Sequence, residues 1–217
     1  EGADLVRVDC NDDVSQADRS SRLTQTIRGG ETYFVQVGSA DGITGNLRLQ
    51  IKGPRVQAVG CDVDGDGLGD ILSGSPGEGL NGAEDAGRAL VHYGSPSHPP
   101  RGVTSISQEW EGLSGGSEPG DRFGNAVACG DFDADGYSDL AIGGRGEDVG
   151  SVSDAGAVRI VPGGVLGPSH ADVLRITQDS PGVAGRVRAH ARFGGSLAVG
   201  DFNGDGYDDL AIGAPGQ

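Results

Sequence analysis

Three nearly identical acidic loops, spaced 69 and then 70 residues apart, constrain this chain more than any other feature of its sequence. Each loop runs for nine residues, places polar or acidic side chains at alternating positions, and has glycine at position 6. The loops occupy residues 62–70, 131–139 and 201–209. Self-similarity at a fixed spacing indicates an array of similar structural units rather than one irregular fold.

The side chains at positions 1, 3, 5 and 9 of each loop are candidate metal ligands. Oxygen ligands that alternate along a tightly curled backbone can converge on one centre, and glycine at position 6 permits the sharp turn. Ca²⁺ suits such a set because it accepts about six to eight oxygens in flexible geometry, whereas Mg²⁺ demands a stricter octahedron. We therefore predict up to three Ca²⁺ ions, one per loop, each bound also by the carbonyl of position 7. The predicted ligands are Asp62, Asp64, Asp66, Leu68, Asp70, Asp131, Asp133, Asp135, Tyr137, Asp139, Asp201, Asn203, Asp205, Tyr207 and Asp209.

The loops have two alternative interpretations. An EF-hand needs a bidentate glutamate at position 12, but this chain has Ser73, Ile142 and Ile212 there. A turn that binds nothing is the simpler alternative, since Asp and Gly favour turns for backbone reasons alone. The same acid recurs at positions 1, 5 and 9 in all three copies, which favours metal binding.

The segments around the loops predict short strands. Each loop leads into an apolar segment closed by glycine, and the second and third loops follow apolar segments that begin with Phe-Gly at 123 and 193. Other predicted strands lie at 71–74, 85–94, 106–108, 140–143, 154–163, 176–178 and 210–213. Four short strands per unit, 42 glycines, ten prolines and no amphipathic helix predict an all-β fold built of propeller blades.

The Phe-Gly pairs, the segment Gly-Asp-Phe-Asn-Gly-Asp-Gly-Tyr-Asp-Asp-Leu at 200–210 and Ala-Ile-Gly-Ala-Pro at 211–215 resemble FG-GAP repeats. Integrin alpha-subunit propellers share this motif. The resemblance implies a β-propeller with a structural Ca²⁺ in the loop between the first two strands of each blade. We place repeat 1 at about 54–113, repeat 2 at about 121–183 and a truncated repeat 3 at about 191–217.

The first repeat departs from the pattern, because Pro54-Arg55-Val56 stands where Phe-Gly would be. About 2.3 blades are present, fewer than the four to eight that typically close a propeller. We therefore expect an incomplete propeller that continues into further blades of a longer parent chain.

Residues 1–52 contain none of the acidic loops and show the alternation of half-buried strands. Cys10-Asn11-Asp12-Asp13 and the segments 33–38 and 44–47 resemble the later part of the bacterial pre-peptidase C-terminal domain, a small β-sandwich of secreted peptidases. An unrelated β-sandwich is the alternative. We predict a partial sandwich or jelly-roll domain at 1–52, joined to propeller repeats at 53–217.

Charge and cysteine content bear on location and partners. The net charge of −16 opposes binding to nucleic acid or to an anionic membrane, and no stretch approaches the ~20 apolar residues that span a bilayer. Extracellular calcium modules bind with dissociation constants near ~10⁻⁴ to 10⁻³ M, so we expect a secreted or cell-surface protein. Cys61 and Cys129 form either a bridge between neighbouring blades or two buried thiols.

No motif of an active site is present in the sequence. The four histidines show no metal-ligand spacing, and there is no nucleophile elbow or phosphate loop. We predict a non-catalytic, calcium-binding module that binds an extracellular protein or glycan, as in adhesion. The alternative is an accessory region of a secreted bacterial hydrolase or peptidase whose catalytic domain lies outside this chain. Trp110 either stacks on a sugar or packs within a strand.

Overall fold

The described part of the molecule is all-β. The computed structural model describes residues 61–95, 102–113 and 115–216, so the predicted sandwich at 1–52 and the start of repeat 1 lie outside it. No helix occurs in these ranges, and hence none long and apolar enough to cross a membrane. The strands are β1 Ile71–Ser75, β2 Arg88–His92, β3 Val103–Ile106, β4 Phe123–Gly130, β5 Asp139–Gly144, β6 Ala157–Val161, β7 Leu174–Ile176, β8 Ser196–Gly200 and β9 Asp209–Gly213.

Each sheet corresponds to one sequence repeat. The sheets have the order β1-β2-β3, β4-β5-β6-β7 and β8-β9, and every pairing is antiparallel. Strands that follow one another in the chain are therefore neighbours in the sheet, which is the arrangement of a propeller blade. The second repeat shows the complete four-stranded blade that the sequence predicts.

The last strand of the first two blades ends earlier than predicted, since β3 and β7 end at the residues where the predicted strands 106–108 and 176–178 begin. β3 ends at Ile106, after which the backbone turns, and the Trp110 N–H donates to the Ser107 carbonyl oxygen at 2.9 Å. Gln108, predicted to end the strand, lies in this turn and is only 1% exposed. β7 likewise ends at Ile176. The alternating pattern of buried residues extends beyond β3 because the side chain of Gln108 is still buried after the backbone has left the sheet.

The apolar core lies between consecutive sheets and explains the Phe-Gly pairs. Phe123 packs with Val91 and Ile106 of the preceding blade, and Phe193 packs with Val158. The Phe123 N–H also donates to the Ala86 carbonyl oxygen at 2.8 Å. The phenyl ring therefore attaches each blade to the one before it.

The glycine that follows each phenylalanine is required by close backbone approach. Gly124 has φ +83°, and a Cβ there would lie 2.4 Å from the Arg88 carbonyl oxygen of the preceding blade. Gly194 has φ +81°, and a Cβ there would lie 2.8 Å from the Ala157 carbonyl oxygen. A side chain would both strain the backbone and push the two sheets apart.

Candidate metal centres

The acidic loops occupy equivalent places in the three blades. The second loop joins β4 to β5 and the third joins β8 to β9. The first loop lies between Cys61 and Asp70, which form an isolated antiparallel bridge, and leads into β1. All three loops thus connect the first two strand positions of a blade, as the resemblance to FG-GAP repeats implies.

Three of the four predicted side-chain ligands converge in each of the first two loops. Carboxylate oxygens at positions 1, 3 and 9 lie within 4.8 Å of one another. The groups are Asp62, Asp64 and Asp70 in the first loop, and Asp131, Asp133 and Asp139 in the second. An all-oxygen set at this spacing suits a hard cation such as Ca²⁺.

The position 5 aspartates do not join these groups. Asp66 Oδ1 instead accepts a hydrogen bond from the Leu68 N–H at 2.9 Å, and Asp135 Oδ1 accepts one from the Tyr137 N–H at the same distance. These bonds close the tight turn that carries the position 7 carbonyl. The structure therefore gives position 5 a role in shaping the loop, whereas its role as a ligand stays a prediction.

The third loop differs because Asn203 replaces an aspartate at position 3. The Asn203 amide nitrogen donates to Asp205 Oδ2 at 3.1 Å and to Asp209 Oδ1 at 3.3 Å. In the described residues its aspartates do not form a convergent group like those of the other loops. The predicted ligand set of the third loop also has one carboxylate fewer, so we expect it to bind a cation more weakly.

The position 9 aspartate fixes the loop to a glycine that follows β2 in the first repeat and β6 in the second. Asp139 is 3% exposed, and its two carboxylate oxygens accept hydrogen bonds from the Phe132 N–H at 2.9 Å and the Gly163 N–H at 3.0 Å. Asp70 bonds in the same way to the N–H groups of Val63 and Gly94, both at 2.8 Å. Sequence reasoning missed this role, although the glycine stands 24 residues after position 9 in both repeats.

Burial makes the charged form of these carboxylates unfavourable. Burial raises the pKa of Asp139 to about 6, and repulsion from Asp133 and Asp135 acts in the same direction. Burial likewise raises the pKa of Asp70 and of Asp131. A bound cation would offset both the desolvation and the repulsion, because opposite charge favours the ionised form.

One oxygen in the first loop is an orphan that a cation would satisfy. Asp62 Oδ1 is buried and has no hydrogen-bond partner, whereas Asp62 Oδ2 accepts a hydrogen bond from the Gly67 N–H at 3.1 Å. Buried polar atoms almost always have a partner, so an unpaired carboxylate oxygen among two other carboxylates indicates a missing positive group. The residues present therefore fit a bound Ca²⁺.

Consecutive loops are hydrogen-bonded to each other, which the sequence did not reveal. The Asp62 N–H donates to Ser138 Oγ at 3.0 Å, and the Ser138 N–H donates to the Asp62 carbonyl oxygen at 2.8 Å. The next pair repeats this geometry, with the Asp131 N–H donating to Asp208 Oδ2 at 2.9 Å and the Asp208 N–H donating back at 3.1 Å. We call this pair of bonds, between position 1 of one loop and position 8 of the next, the inter-loop contact.

A disulfide joins the first two blades beside this contact. Cys61 and Cys129 are bonded, with their Cα atoms 5.4 Å apart. Cys61 immediately precedes the first loop, and Cys129 lies in β4. Of the two sequence interpretations, the bridge is therefore correct and the pair of free thiols is wrong.

A second polar cluster lies at the interface of the first two blades, away from the loops. Glu147 accepts hydrogen bonds from the Arg159 and Arg175 guanidinium groups, at 3.2 and 2.9 Å, and from the Gln108 amide. Burial raises the pKa of the neighbouring Asp121 to about 6, and repulsion from Glu147 adds to the effect. No sequence motif marked these residues.

Trp110 does not lie in a strand, contrary to one of the two sequence interpretations. It lies in the turn after β3, and its ring stacks on the imidazole of His170 with centroids 3.8 Å apart. His170 Nδ1 lies 2.9 Å from the Glu111 carbonyl oxygen. The tryptophan face is therefore already covered by a histidine from the second repeat.

The blade architecture and the recurring acidic loops define a repeat protein of the propeller-blade class. The FG-GAP repeat family matches residues 57–92, 123–161 and 193–217, so the chain carries three FG-GAP repeats. These segments contain the three loops and all the described strands except β3 and β7, and they include the first copy, which lacks Phe-Gly.

The chain is also similar in sequence to two groups of known proteins. It is 34% identical over 157 residues to phosphatidylinositol-glycan-specific phospholipase D of Bos taurus, covering 71% of this chain and 18% of that protein. It is 35% identical over 163 residues to integrin alpha pat-2 of Caenorhabditis briggsae, with 71% and 12% covered. Integrin alpha-PS2 of Drosophila melanogaster is 34% identical over 160 residues, with 70% and 11% covered.

The chain therefore spans less than a fifth of the length of these curated relatives. Three of its segments match FG-GAP repeats, and it is similar in sequence to both the integrin alpha and the phospholipase D relatives. Similarity over this aligned region does not identify what the whole protein binds or catalyses.

Proposed function

We propose that this chain is a non-catalytic repeat module, stabilised by Ca²⁺, that acts outside the cell in binding or adhesion. The observation that carries the proposal is the convergence of Asp62, Asp64 and Asp70, in which Asp62 Oδ1 is buried without a partner. The matching group in the second loop supports the same chemistry. In each loop the aspartates hold the cation, and the cation supplies the positive charge that lets the buried carboxylates stay ionised.

Calorimetric titration of the chain with Ca²⁺ tests this proposal. We expect two tighter sites and one weaker site, because the third loop has Asn203 at position 3. Asp133→Ala should remove one of the tighter sites, since Asp133 belongs to a convergent group. Asp179→Ala, at an exposed aspartate outside the loops, is the matched control and should leave all sites intact. A titration without heat beyond dilution contradicts the proposal.

The disulfide supports a location outside the cytosol. A bond such as Cys61–Cys129 forms and persists in oxidising compartments and is rare in reducing ones. Secretion is tested by expressing the parent protein in its source and measuring the protein in the medium or on the cell surface. Recovery only from the cytosolic fraction, with both thiols free, contradicts this part of the proposal.

We favour the binding of an extracellular protein or glycan as the role of the module. The relatives named integrin alpha support a binding module, and the net charge of −16 opposes nucleic acid as a partner. Screening the chain against arrays of extracellular proteins and glycans, in calcium and in EDTA, tests this role. We expect binding that is lost in EDTA.

The second candidate is an accessory region of a secreted hydrolase. The match to phosphatidylinositol-glycan-specific phospholipase D favours it, because this chain corresponds to 18% of that protein. Catalysis would then belong to a part of the parent protein outside these 217 residues. A hydrolase domain in the full-length coding sequence favours this candidate, whereas further repeats followed by a surface anchor favour the first.

The division into a domain at 1–52 and repeats at 53–217 is also part of the proposal. Lys52-Gly53-Pro54 has the composition of a joint between the two. Limited proteolysis should cut near this segment and leave the repeats intact. Degradation that proceeds through the repeats first contradicts the division.

A further inference from the structure

The inter-loop contact connects the predicted ligand sets of consecutive loops. Position 1, represented by Asp62 and Asp131, is a predicted ligand of its own loop. Position 8, represented by Ser138 and Asp208, lies between the position 7 carbonyl and the position 9 carboxylate of the next loop. The contact therefore joins the residue that supplies the first predicted ligand of one loop to the residue that lies between the last two predicted ligands of the next loop.

The contact leaves position 1 little freedom to move independently. Both the N–H and the carbonyl of Asp62 are bonded to Ser138, which is 5% exposed. The next residue is also held, because the Gly164 N–H donates to the Val63 carbonyl oxygen at 3.0 Å. The Cys61–Cys129 disulfide fixes the residue before position 1 to the same neighbouring blade. Ordering of the second loop therefore orders the first ligand of the first loop.

We propose that Ca²⁺ binding is positively cooperative between neighbouring loops, transmitted by the inter-loop contact. This inference rests on the proposed function and describes the regulation of the same sites. A cation that orders positions 7 to 9 of one loop also orders position 1 of the preceding loop, so the second binding event costs less conformational entropy. Coupling of this kind is reciprocal, and each loop raises the affinity of the other by the same factor.

The sign of the effect separates this mechanism from electrostatics alone. Two cations in adjacent loops repel each other, so charge by itself makes the filling of one loop weaken the other. Cooperativity through the inter-loop contact has the opposite sign. Emptying one loop should therefore weaken its neighbour under our proposal and strengthen it under simple repulsion.

Site-resolved titration by NMR can measure each loop separately. The position 6 glycine N–H groups bond to the position 1 carboxylates, with Gly67 to Asp62 at 3.1 Å and Gly136 to Asp131 at 3.3 Å. Their amide resonances report Ca²⁺ at the first and second loops of the intact 217-residue chain. The calcium midpoint of each resonance is the measured quantity.

Asp133→Ala empties the second loop without touching the inter-loop contact. We expect it to raise the calcium midpoint of Gly67 by about fivefold or more, the lower end of typical coupling between sites. In a Ser138→Ala background the same change should raise the midpoint by less than about twofold, because the side-chain half of the contact is gone. Ser138 is not a predicted ligand.

Ser180→Ala is the matched control. Ser180 Oγ also accepts a hydrogen bond from a backbone N–H, that of Thr177 at 3.0 Å, but it lies in a turn away from the loops. In the Ser180→Ala background the effect of Asp133→Ala on Gly67 should stay at its full size. The reverse experiment requires no serine variant: Asp64→Ala must raise the Gly136 midpoint by the same factor as Asp133→Ala raises that of Gly67.

The outcomes distinguish this inference from the proposed function. If neither glycine resonance responds to Ca²⁺ in the wild type, the proposed function fails and the inference with it. If both respond but Asp133→Ala leaves the Gly67 midpoint unchanged or lowers it, only the cooperativity is wrong. Full coupling that survives Ser138→Ala would overturn the assignment to the inter-loop contact.

Discussion

At the scale of single residues, the structure gives physical reasons for positions that the sequence marks only by repetition. Phe123 and Gly124 recur as Phe193 and Gly194 because the two residues of each pair have separate roles. The phenylalanine ring packs in the core, and the glycine, which lacks a side chain, lets the backbone lie close to the preceding blade. The acids at positions 1, 3 and 9 of the first loop recur in the second because their carboxylates converge. Sequence reasoning found these residues, since the repeats align them.

Gly124→Ala should lower the free energy of unfolding by about 2–4 kcal/mol, because positive φ and a backbone collision act together. Gly182→Ala is the matched control, since Gly182 also has φ +83° but a Cβ there would meet nothing within 4 Å. The control should cost about 1 kcal/mol, from backbone strain alone. Chemical denaturation of both variants measures the difference, and equal losses would show that close approach of the blades is unimportant.

Asp121→Asn should stabilise the protein at pH 7 and have no effect below about pH 4. Burial raises the pKa of Asp121 from 3.8 to about 6 in the folded state, so the folded wild type binds the Asp121 proton more tightly than the unfolded chain does. Stability from this group is complete below the unfolded pKa and is lost as the pH rises towards 6 and beyond. The difference at pH 7 should be about 1–3 kcal/mol.

Denaturation of wild type and Asp121→Asn across pH 4 to 8, at constant calcium, measures this difference. Asp179→Asn, at an exposed aspartate, is the control and should follow the wild type throughout. A wild type whose stability relative to Asp121→Asn rises between pH 4 and 7 would show that the assigned pKa shift has the wrong sign.

At the scale of elements, the sequence predicted the blades and the loops, but it did not predict where β3 ends or the hydrogen bonds between consecutive loops. β5 and β9 were predicted from apolar segments closed by glycine, whereas the early end of β3 was not, because buried Gln108 continues the strand pattern into a turn. The inter-loop contact also escaped prediction. Its position 8 residues, Ser138 and Asp208, differ in type, and the other groups of each contact are backbone N–H and carbonyl groups, which the sequence does not distinguish.

Replacement of both Cys61 and Cys129 by Ala should lower stability by about 2–4 kcal/mol, since the bond spans 68 residues and restricts the unfolded chain. Chemical denaturation under oxidising conditions measures the loss. A reducing agent should destabilise the wild type by a similar amount and leave the double variant unchanged. Equal stability of the oxidised wild type and the double variant would contradict a stabilising role for the bridge.

At the scale of the whole molecule, the described residues form consecutive blades that are joined by phenylalanine side chains, a disulfide and hydrogen bonds between loops. The all-β repeat architecture could be predicted from the sequence, because period, strand pattern and glycine content all agree. The partner could not, since no motif of an active site or binding site accompanies the repeats. The structure adds the reason why metal and fold are connected: buried carboxylates such as Asp139 belong to the loop and to the sheet at once.

Thermal unfolding in millimolar Ca²⁺ and in excess EDTA tests the central claim most directly. Each occupied loop should contribute about 1–2 kcal/mol at calcium concentrations well above its dissociation constant. We therefore predict a melting temperature several degrees higher in Ca²⁺ than in EDTA, with a smaller difference in Asp133→Ala. Identical melting temperatures in Ca²⁺ and EDTA would contradict the account.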